Sequence, residues 1–387
     1  MAMTAILAQP LQAESNRKIE ESKQRMKDSA FDYQPIDDDE RGLWLQMDEE
    51  ERSIKLSKFL VKDPALNEYV RKVLCKTVGE LNCQATRIYI MRTPHFNASM
   101  APNGMMIVWT GLLLRTRNEA ELASVLGHEF SHFENLHSIQ SFRDIRAKTD
   151  AMAWISVIAG SAGSLASLGL LGLVFDFSRD MEREADILAL DHLVDGGYDP
   201  MASSAIWEQL RAEMDATAAE RKVRSRKDKN DGFFSTHPNT GDRMEYLRDA
   251  ASKKDREGKS LGADEYRAAL LSWWPRLIDD QIKLNDFGAT EFLLGKLADD
   301  GWTPELLYAR GELYRARGKD DDFQKAVEFY RQSIASGAQF SENWRGLGLS
   351  LLRSGVKEEG QAALRDYVTR QPDAPDKAMI SMMAGGN

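Results

Sequence analysis

Hydrophobic and polar positions divide the first part of the chain into segments with different periodicities. From Leu43 onward apolar residues recur at helical spacing, and the step Asp63–Pro64 predicts the start of a helix with an apolar face. Residues 87–91 and 105–109 are short apolar runs beside turn-rich segments, and each predicts a β-strand. The charged residues 15–41 predict a solvated helix or a disordered lead-in.

The most apolar stretch of the chain covers residues 151–175. Its length of about 25 residues is enough to span a bilayer. Four serines interrupt it: Ser156, Ser161, Ser164 and Ser167. Because the serines weaken insertion, we favour a pair of tightly packed buried helices over a membrane hairpin or a single span. Peripheral membrane contact through this run stays open.

The helical segment after the second strand contains the pattern H-E-x-x-H, formed by His128, Glu129 and His132. Asn118 is predicted to cap the N-terminus of this helix, with Glu121 as its capping-box partner. Residues four apart lie on one helical face, so both imidazoles can point at one metal ion. Glu129 follows the first histidine and can reach a water at the metal without binding the metal. The spacing is typical of a zinc site with glutamate as general base.

Zinc in a hydrolytic site takes a third protein ligand, and the residues alone leave its identity open. His137 lies nine positions beyond His128, about 180° around a continuous helix, and is therefore predicted to point away. An acidic residue from another helix is the better candidate. The segment that follows the apolar run, with Ser178 as predicted N-cap, offers three: Glu182, Glu184 and Asp186.

Several short stretches accompany the H-E-x-x-H pattern between about residues 60 and 250. They are Asn97-Ala98 with Gly104 and Thr110-Gly111-Leu112, Asn118-Glu119-x-Glu121-Leu122, Glu182-x-x-Ala185-Asp186, and Thr236-His237-Pro238 followed by Arg243. In these features the chain resembles the gluzincins of metallopeptidase family forty-eight. That family includes the CAAX prenyl proteases and the HtpX-type heat-shock peptidases.

The resemblance implies roles for individual residues and one Zn²⁺ per chain. Glu182 would be the third ligand, and Asp186, one turn further on the same face, would orient a ligating histidine. His237 would belong to the site, either as an oxyanion donor or as a plug in the open metal position. Arg243 would bind a substrate carbonyl or pair with a neighbour. Glu184 is the runner-up ligand and otherwise a solvated residue.

The second predicted strand is the expected substrate-binding element. It lies just upstream of the metal motif, and an exposed sheet edge there could bind an extended polypeptide as an added strand. Its residues are Met105, Met106, Ile107, Val108 and Trp109. Backbone pairing of this kind gives little sequence preference by itself.

Beyond about residue 258 the pattern resembles tetratricopeptide repeats. One repeat contains Pro304, Leu307, Gly311, Tyr314, Gly318, Ala326 and Tyr330, and a second contains Trp344, Leu347, Gly348, Leu351, Gly355, Leu364 and Pro372. Leu307 and Trp344 are 37 positions apart, which is the period of about 34 residues plus a short insertion. Residues 288–298 are predicted to be the second helix of an earlier, degenerate repeat. Glycines at 311 and 348 are expected to let paired helices approach closely.

Net charge, the two cysteines and the first residues limit which partners and which cellular compartments fit the chain. The net charge of −10 argues against nucleic-acid binding. A continuous helix would hold Cys75 and Cys83 about 12 Å apart, so we predict two unpaired thiols, and a bridge forms only if the helix stops near Gly79. Residues 1–14 resemble the end of a secretory signal but lack its basic start, which leaves the compartment open.

The sequence therefore predicts a mainly α (α+β) protein in three parts. Residues 1–40 form a leader or polar helix, 41–257 a zinc metalloendopeptidase domain with a small sheet, and 258–387 an all-α tetratricopeptide-type solenoid. Family members with such repeats act in the Gram-negative periplasm, so the resemblance implies envelope protein quality control, with repeats that recruit outer-membrane assembly machinery. The alternatives are a chaperone-like or scaffolding module with a dormant protease, and a cytoplasmic or membrane-associated protease that cuts membrane or lipidated peptides.

Overall fold

The structure, a computed structural model, describes residues 17–26, 30, 33–148, 177–227, 237 and 243–385. Residues 1–14 and 151–175, for which the sequence predicted a leader and a pair of buried helices, lie outside this set. Within the described ranges, no helix has both the length and the hydropathy that a membrane crossing takes. The chain forms two compact units, Met1–Glu208 with Asp228–Ala269 and Gln209–Lys227 with Leu270–Asn387.

The first unit is mainly helical with one small sheet. Its helices are α1 (17–26), α2 (Asp38–Leu56), α3 (Pro64–Val78), α4 (Glu80–Gln84), α5 (Thr110–Arg115), α6 (Glu119–Glu134), α7 (His137–Lys148), α8 (Arg179–Asp195), α9 (Ala202–Arg221), which continues into the second unit, α10 (Arg243–Ser252) and α11 (Ala263–Leu270). Its strands are β1 (Arg87–Met91), β2 (Ala98–Met100) and β3 (Met105–Trp109).

Local capping chemistry explains where the helices around the motif begin. Asp63 caps α3 at the predicted Asp63–Pro64 step, and the Ser178 side chain accepts a hydrogen bond from the Met181 N–H at the start of α8. Asn118 caps α6 as predicted, since its Oδ1 accepts from the Glu121 N–H at 2.9 Å. The Glu121 carboxylate does not close the expected box, because it accepts from the Arg117 N–H instead.

Strand β3 lies in the middle of the sheet, whose order is β1-β3-β2. It pairs in parallel with β1 and antiparallel with β2, so both of its edges are hydrogen-bonded. The prediction that Met105–Trp109 is a free substrate-binding edge is therefore wrong. The pattern of residues predicts that a strand exists, but strand order depends on which distant segments pair. Strand β2, which packs beside α6, is an edge within the described residues.

Helix α6 runs through the core of the first unit. Every residue from Glu119 to Phe133 is buried, so the metal motif is surrounded by protein on all sides. A Cβ added at Gly127 would lie 3.3 Å from Thr77 Cγ2 of α3 and 3.8 Å from Ala189 Cβ of α8. The glycine therefore allows α3 and α8 to pack closely against α6 beside His128.

Cys75 and Cys83 form a disulfide, contrary to the prediction of two unpaired thiols. Helix α3 ends at Val78, and Gly79, with φ of +84°, redirects the chain into the short helix α4. The two Cα atoms consequently lie 4.8 Å apart, within the range for a bridge. The helix stops near Gly79, which is the condition under which the sequence allowed a bridge.

Residues 17–26 form the predicted helix, which is solvated on one face and anchored on the other. Met26 and Tyr33 are buried, and the carboxylate of Glu40 in α2 is fully covered. Glu40 Oε1 accepts from Ser22 Oγ at 2.7 Å and Arg143 Nη2 at 2.9 Å, while Oε2 accepts from Tyr33 OH at 2.6 Å. This buried network joins the segment to α2 and α7.

The second unit consists of helices packed against their neighbours along the chain. Besides the end of α9 they are α12 (Trp274–Ile282), α13 (Phe287–Leu297), α14 (Pro304–Arg317), α15 (Asp322–Ala335), α16 (Glu342–Arg353), α17 (Lys357–Arg370) and α18 (Lys377–Met383). A Cβ at Gly311 would lie 2.7 Å from the Tyr330 ring, and one at Gly348 would lie 2.6 Å from Leu364. The predicted close approach of paired helices at these two glycines is thus confirmed.

Candidate metal centre

The two motif histidines point their Nε2 atoms at each other from consecutive turns of α6. His128 Nε2 and His132 Nε2 are 3.1 Å apart, and both side chains are at least 98% buried. The spacing of four residues places them on one helical face, as predicted. Burial lowers the pKa of His132 well below its usual range, so this imidazole is neutral and can act as a ligand.

Glu182 approaches the same point from α8. Its Oε1 lies 3.3 Å from His132 Nε2, and its Oε2 lies 3.6 Å from His128 Nε2. Burial alone would raise the pKa of Glu182, but the positive charges of His237 and Arg243 outweigh it and hold that pKa well below its usual range. The carboxylate is therefore ionised, as a metal ligand must be.

His237 completes the cluster from the segment before α10. Its Nδ1 lies 2.8 Å from Glu182 Oε1 and 3.4 Å from His128 Nε2. Its Nε2 lies 3.5 Å from Glu129 Oε1. Burial would lower the pKa of His237, but the carboxylates of Glu182 and Glu129 outweigh burial and raise it.

The donor atoms of this cluster fit a small cation. One donor atom from each of His128, His132, Glu182 and His237 lies within 4.8 Å of the others. Four donors at zinc bonding distance in a tetrahedron would be roughly 3.3 Å apart, which matches the separations above. Two or three imidazoles with one carboxylate are also the donor types that zinc takes. The cluster can therefore hold a metal ion.

Glu129 lies beside these donors and has a carboxylate oxygen that can still accept a hydrogen bond. It is 99% buried, yet its Oε1 has no hydrogen-bond partner among the described residues. Buried polar atoms are seldom left unpaired, so this oxygen is available to a water or a substrate. Burial is also the main reason that the pKa of Glu129 is raised.

A buried ion pair between Asp186 and Arg243 lies on the side of His128 that faces away from the donor atoms. Asp186 Oδ1 lies 2.9 Å from His128 Nδ1, on the side of the ring that faces away from the cluster. Arg243 donates to Asp186 through Nε and Nη2, at 2.8 and 2.7 Å, and its Nη1 lies 2.9 Å from Glu182 Oε2. Burial would raise the pKa of Asp186, but the Arg243 and His128 charges lower it to about 2. Tyr246 also donates to Asp186.

Comparison with known proteins assigns part of the chain to a family. Residues 64–251 match the model of Peptidase family M48. These residues form a peptidase family M48 domain.

Three relatives illustrate the similarity of the M48 domain. The mitochondrial metalloendopeptidase OMA1 of Schizosaccharomyces pombe is 30% identical over 198 residues, 48% of this chain and 55% of that protein. The beta-barrel assembly-enhancing protease of Escherichia coli is 26% identical over 173 residues, 41% of this chain and 35% of that protein. The human mitochondrial OMA1 is 29% identical over 195 residues, 46% of this chain and 36% of that protein. The chain thus spans little more than half, or less, of these relatives.

The M48 domain brings together the residues that the motifs singled out. His128, His132, Glu182 and His237 meet in one cluster, with Glu129 at its side. Arg243 lies behind them, where it pairs with neighbouring carboxylates and its guanidinium covers the ring of Trp207 at 4.2 Å. Of the two roles considered for Arg243, the structure supports pairing with a neighbour.

Sequence reasoning missed two members of the M48 site. Tyr246 lies one turn after Arg243 in α10, and this helical spacing could have indicated that both reach Asp186. His137 was predicted to point away because α6 was assumed to continue. The helix ends at Glu134, Leu136 takes a φ of +57°, and His137 begins α7 with its Nδ1 2.9 Å from His132 Nδ1.

Glu184 is the partner of His137 and lies outside the donor cluster of the M48 domain. Its side chain is 51% exposed, and its Oε2 lies 3.3 Å from His137 Nε2. It therefore combines the solvated position predicted for it with one contact that the sequence did not predict.

Proposed function

We propose that the chain is a zinc-dependent endopeptidase in which His128, His132 and Glu182 hold one Zn²⁺. When bound, zinc polarises the scissile carbonyl and makes water a stronger nucleophile at neutral pH. The observation that carries the proposal is Glu129 Oε1, a buried carboxylate oxygen without a hydrogen bond among the described residues, beside four donor atoms that fit a cation. Membership of residues 64–251 in Peptidase family M48 supports it.

Glu129 is proposed to move the proton in this reaction. Its carboxylate would take a proton from the water that attacks the carbonyl carbon and return it to the leaving nitrogen. Burial raises the pKa of Glu129, which makes the carboxylate a stronger base toward the attacking water. Asp186 would fix the ring of His128, and Arg243 would neutralise the paired carboxylates.

His237 is proposed to occupy the fourth donor position in the resting enzyme. Its Nδ1 contacts Glu182 and His128 at distances suited to a shared cation, which favours a plug that leaves when substrate enters. The alternative is a donor to the oxyanion, and the proximity of Nε2 to Glu129 Oε1 is compatible with it. The two roles predict opposite effects of removing the imidazole.

We propose β2, rather than β3, as the edge that binds an extended substrate. Ala98–Met100 pairs with β3 on one side and has no second strand within the described part of the chain. The strand packs beside α6, which carries His128 and His132. Main-chain pairing would position a polypeptide while demanding little of its sequence.

An oxidising compartment is proposed from the Cys75–Cys83 disulfide. Structural disulfides persist in the bacterial periplasm and other oxidising spaces and are rare in the cytosol. Together with the similarity to beta-barrel assembly-enhancing proteases, this favours the periplasm and misfolded or misassembled envelope proteins as substrates. The outer-membrane assembly machinery is the proposed partner.

The helices after residue 258 are proposed to be tetratricopeptide-type repeats that recruit substrate or partner, distinct from a peptidase domain at 41–257. The pairs α14–α15 and α16–α17 support this, because each consists of two adjoining helices with a glycine at the contact. Residues 260–262 lie after residue 258 but belong to the first unit, because the Ala120 N–H donates to Leu261 O. A separating cut should therefore follow Ala269.

The test is hydrolysis of casein and of an unstructured peptide by the purified full chain, with metal content measured on the same sample. We expect about one zinc per chain, loss of hydrolysis with a chelator, and recovery on adding zinc. Hydrolysis that survives complete removal of metal would overturn the proposal. So would a zinc-loaded, folded protein that cuts none of a broad set of unstructured peptides, which is the result expected of a dormant protease.

A further inference from the structure

The two motif histidines differ in what holds the ring nitrogen that faces away from the metal cluster. His128 Nδ1 lies 2.9 Å from the carboxylate of Asp186. His132 Nδ1 lies 2.9 Å from another imidazole, the Nδ1 of His137. His137 Nε2 in turn lies 3.3 Å from Glu184 Oε2. A metal-ligating histidine commonly donates its second N–H to an acceptor that fixes the ring.

We infer that His137 is a positioning residue for His132, through a chain of hydrogen bonds from His132 to His137 to Glu184. The inference rests on the proposed metal centre. His132 Nε2 faces the donor cluster and must be free of a proton to bind a cation, so the proton of this ring resides on Nδ1. His137 Nδ1 then accepts that N–H, and His137 Nε2–H donates to Glu184.

The geometry around the contact supports an ordered chain rather than incidental packing. His137 is fully buried, so water does not compete for its nitrogens from outside. The ring of Phe177 stacks on His132 at 3.9 Å between centroids, with 18° between the planes. One face of His132 is thereby covered, and the hydrogen bond at Nδ1 would hold the edge of the ring that faces away from the donor cluster.

The backbone turn between α6 and α7 places His137 beside His132. Leu136 takes a left-handed φ of +57°, which ends α6 and begins α7 in a new direction. Such a conformation is unfavourable for a residue other than glycine. A fold that keeps it places His137 on the cluster side, whereas a continuous helix would turn it away.

The experiment compares three variants of the full chain, His137→Ala, His137→Leu and His137→Asn. Asn and Leu have nearly the same shape, but only Asn keeps an acceptor oxygen near the position of Nδ1. We expect the Ala and Leu variants to bind zinc about 10- to 100-fold more weakly in competition with a chelator, and the Asn variant to recover most of the loss. If the Ala variant fails to fold, the Asn–Leu pair alone decides.

His192→Ala is the matched control. His192 also contacts a glutamate, Glu134, at 3.1 Å, but it packs beside Phe130 instead of the donor cluster. Zinc affinity in this variant should equal that of the wild type. Nitrogen-15 NMR of the wild type should in addition show His137 protonated at Nε2 and bare at Nδ1.

Three results would overturn the role of His137. They are unchanged zinc affinity in the Leu variant, equal losses in the Leu and Asn variants, and a His137 proton on Nδ1. A wild-type chain that binds no zinc is a different failure, since it removes the proposed metal centre itself. The NMR assignment still tests the hydrogen bond between His132 and His137 in that case.

Discussion

Glu40 and Glu129 are both buried glutamates of the first unit, and their surroundings differ in one respect. Both oxygens of Glu40 accept hydrogen bonds, from Ser22, Arg143, Tyr33 and the Ile36 N–H. Glu129 Oε1 accepts none from the described residues. A carboxylate whose oxygens are already hydrogen-bonded has little capacity left for a ligand, while a buried oxygen without a hydrogen bond can accept one from a water or a substrate. The difference indicates that Glu40 stabilises the fold, while Glu129 has an oxygen available for a reaction.

The largest expected effect comes from Glu129→Gln. The amide cannot accept the proton of the attacking water, so peptide turnover should fall by about 10² to 10⁴ while zinc stays bound. Turnover of an unstructured peptide and zinc content would be measured on the same preparation. Glu134→Gln, in the same helix but paired with His192, is the control and should keep its turnover. Parallel loss of zinc in the Glu129 variant would make Glu129 structural.

The opposite result is expected for Glu40→Ala. Removing this carboxylate leaves Asp37 as the carboxylate partner of Arg143 and takes away the acceptor of the Ser22 and Tyr33 hydroxyls, which should destabilise the first unit by roughly 1 to 3 kcal/mol. Denaturant unfolding would measure the loss, and zinc affinity of the folded protein should not change. Glu49→Ala on the exposed side of the same helix should stay within about 0.5 kcal/mol of the wild type. A weakened zinc site in the Glu40 variant would remove the distinction between the two clusters.

A third comparison contrasts Glu182→Gln with Glu184→Gln. The two residues lie in one helix, but only Glu182 contacts both motif histidines at Nε2. Its amide should weaken zinc binding more than about 100-fold, beyond the loss expected for a residue outside the ligand set. The Glu184 amide still offers an oxygen to His137, so its effect should be far smaller. The reverse ranking in chelator competition would move the third ligand to Glu184.

The smallest effect on turnover is expected for His237→Ala. As a plug, the imidazole only restrains the resting enzyme, so its removal should leave turnover of an unstructured peptide equal or higher. The comparison needs matched zinc occupancy, and His95→Ala, an exposed histidine, serves as the control. A fall of about 100-fold or more would instead identify His237 as an oxyanion donor.

Local rules predicted the parts of the structure that local chemistry controls. The caps at Asp63, Asn118 and Ser178 and the shared face of His128 and His132 depend only on residues within a turn or two. The third donor was harder, because three acidic residues of α8 satisfied the chemical requirement. The resemblance to a family pointed to Glu182, and the structure places Glu182 against both histidines.

The predictions that were wrong depended on where a helix stops or on which strands pair. Gly79 ends α3 between the two cysteines, and Leu136 ends α6 before His137. A stop near Gly79 was the stated exception for the cysteines, whereas the residue pattern gave no comparable sign of a break at Leu136. The central position of β3 follows from pairing with β1 and β2, which the pattern within a single strand does not encode.

The left-handed turn at Leu136 also bears on how this segment can change in length. One residue inserted between His132 and His137 would rotate the start of α7 by about 100° and carry the imidazole away from its partner. A deletion would rotate it the other way. Of the four intervening residues, Glu134 is the one that is not buried, and a substitution there leaves this geometry intact. Length variation should therefore be excluded from these few residues even where their identities drift, so that the segment behaves as a fixed spacer in evolution and in design.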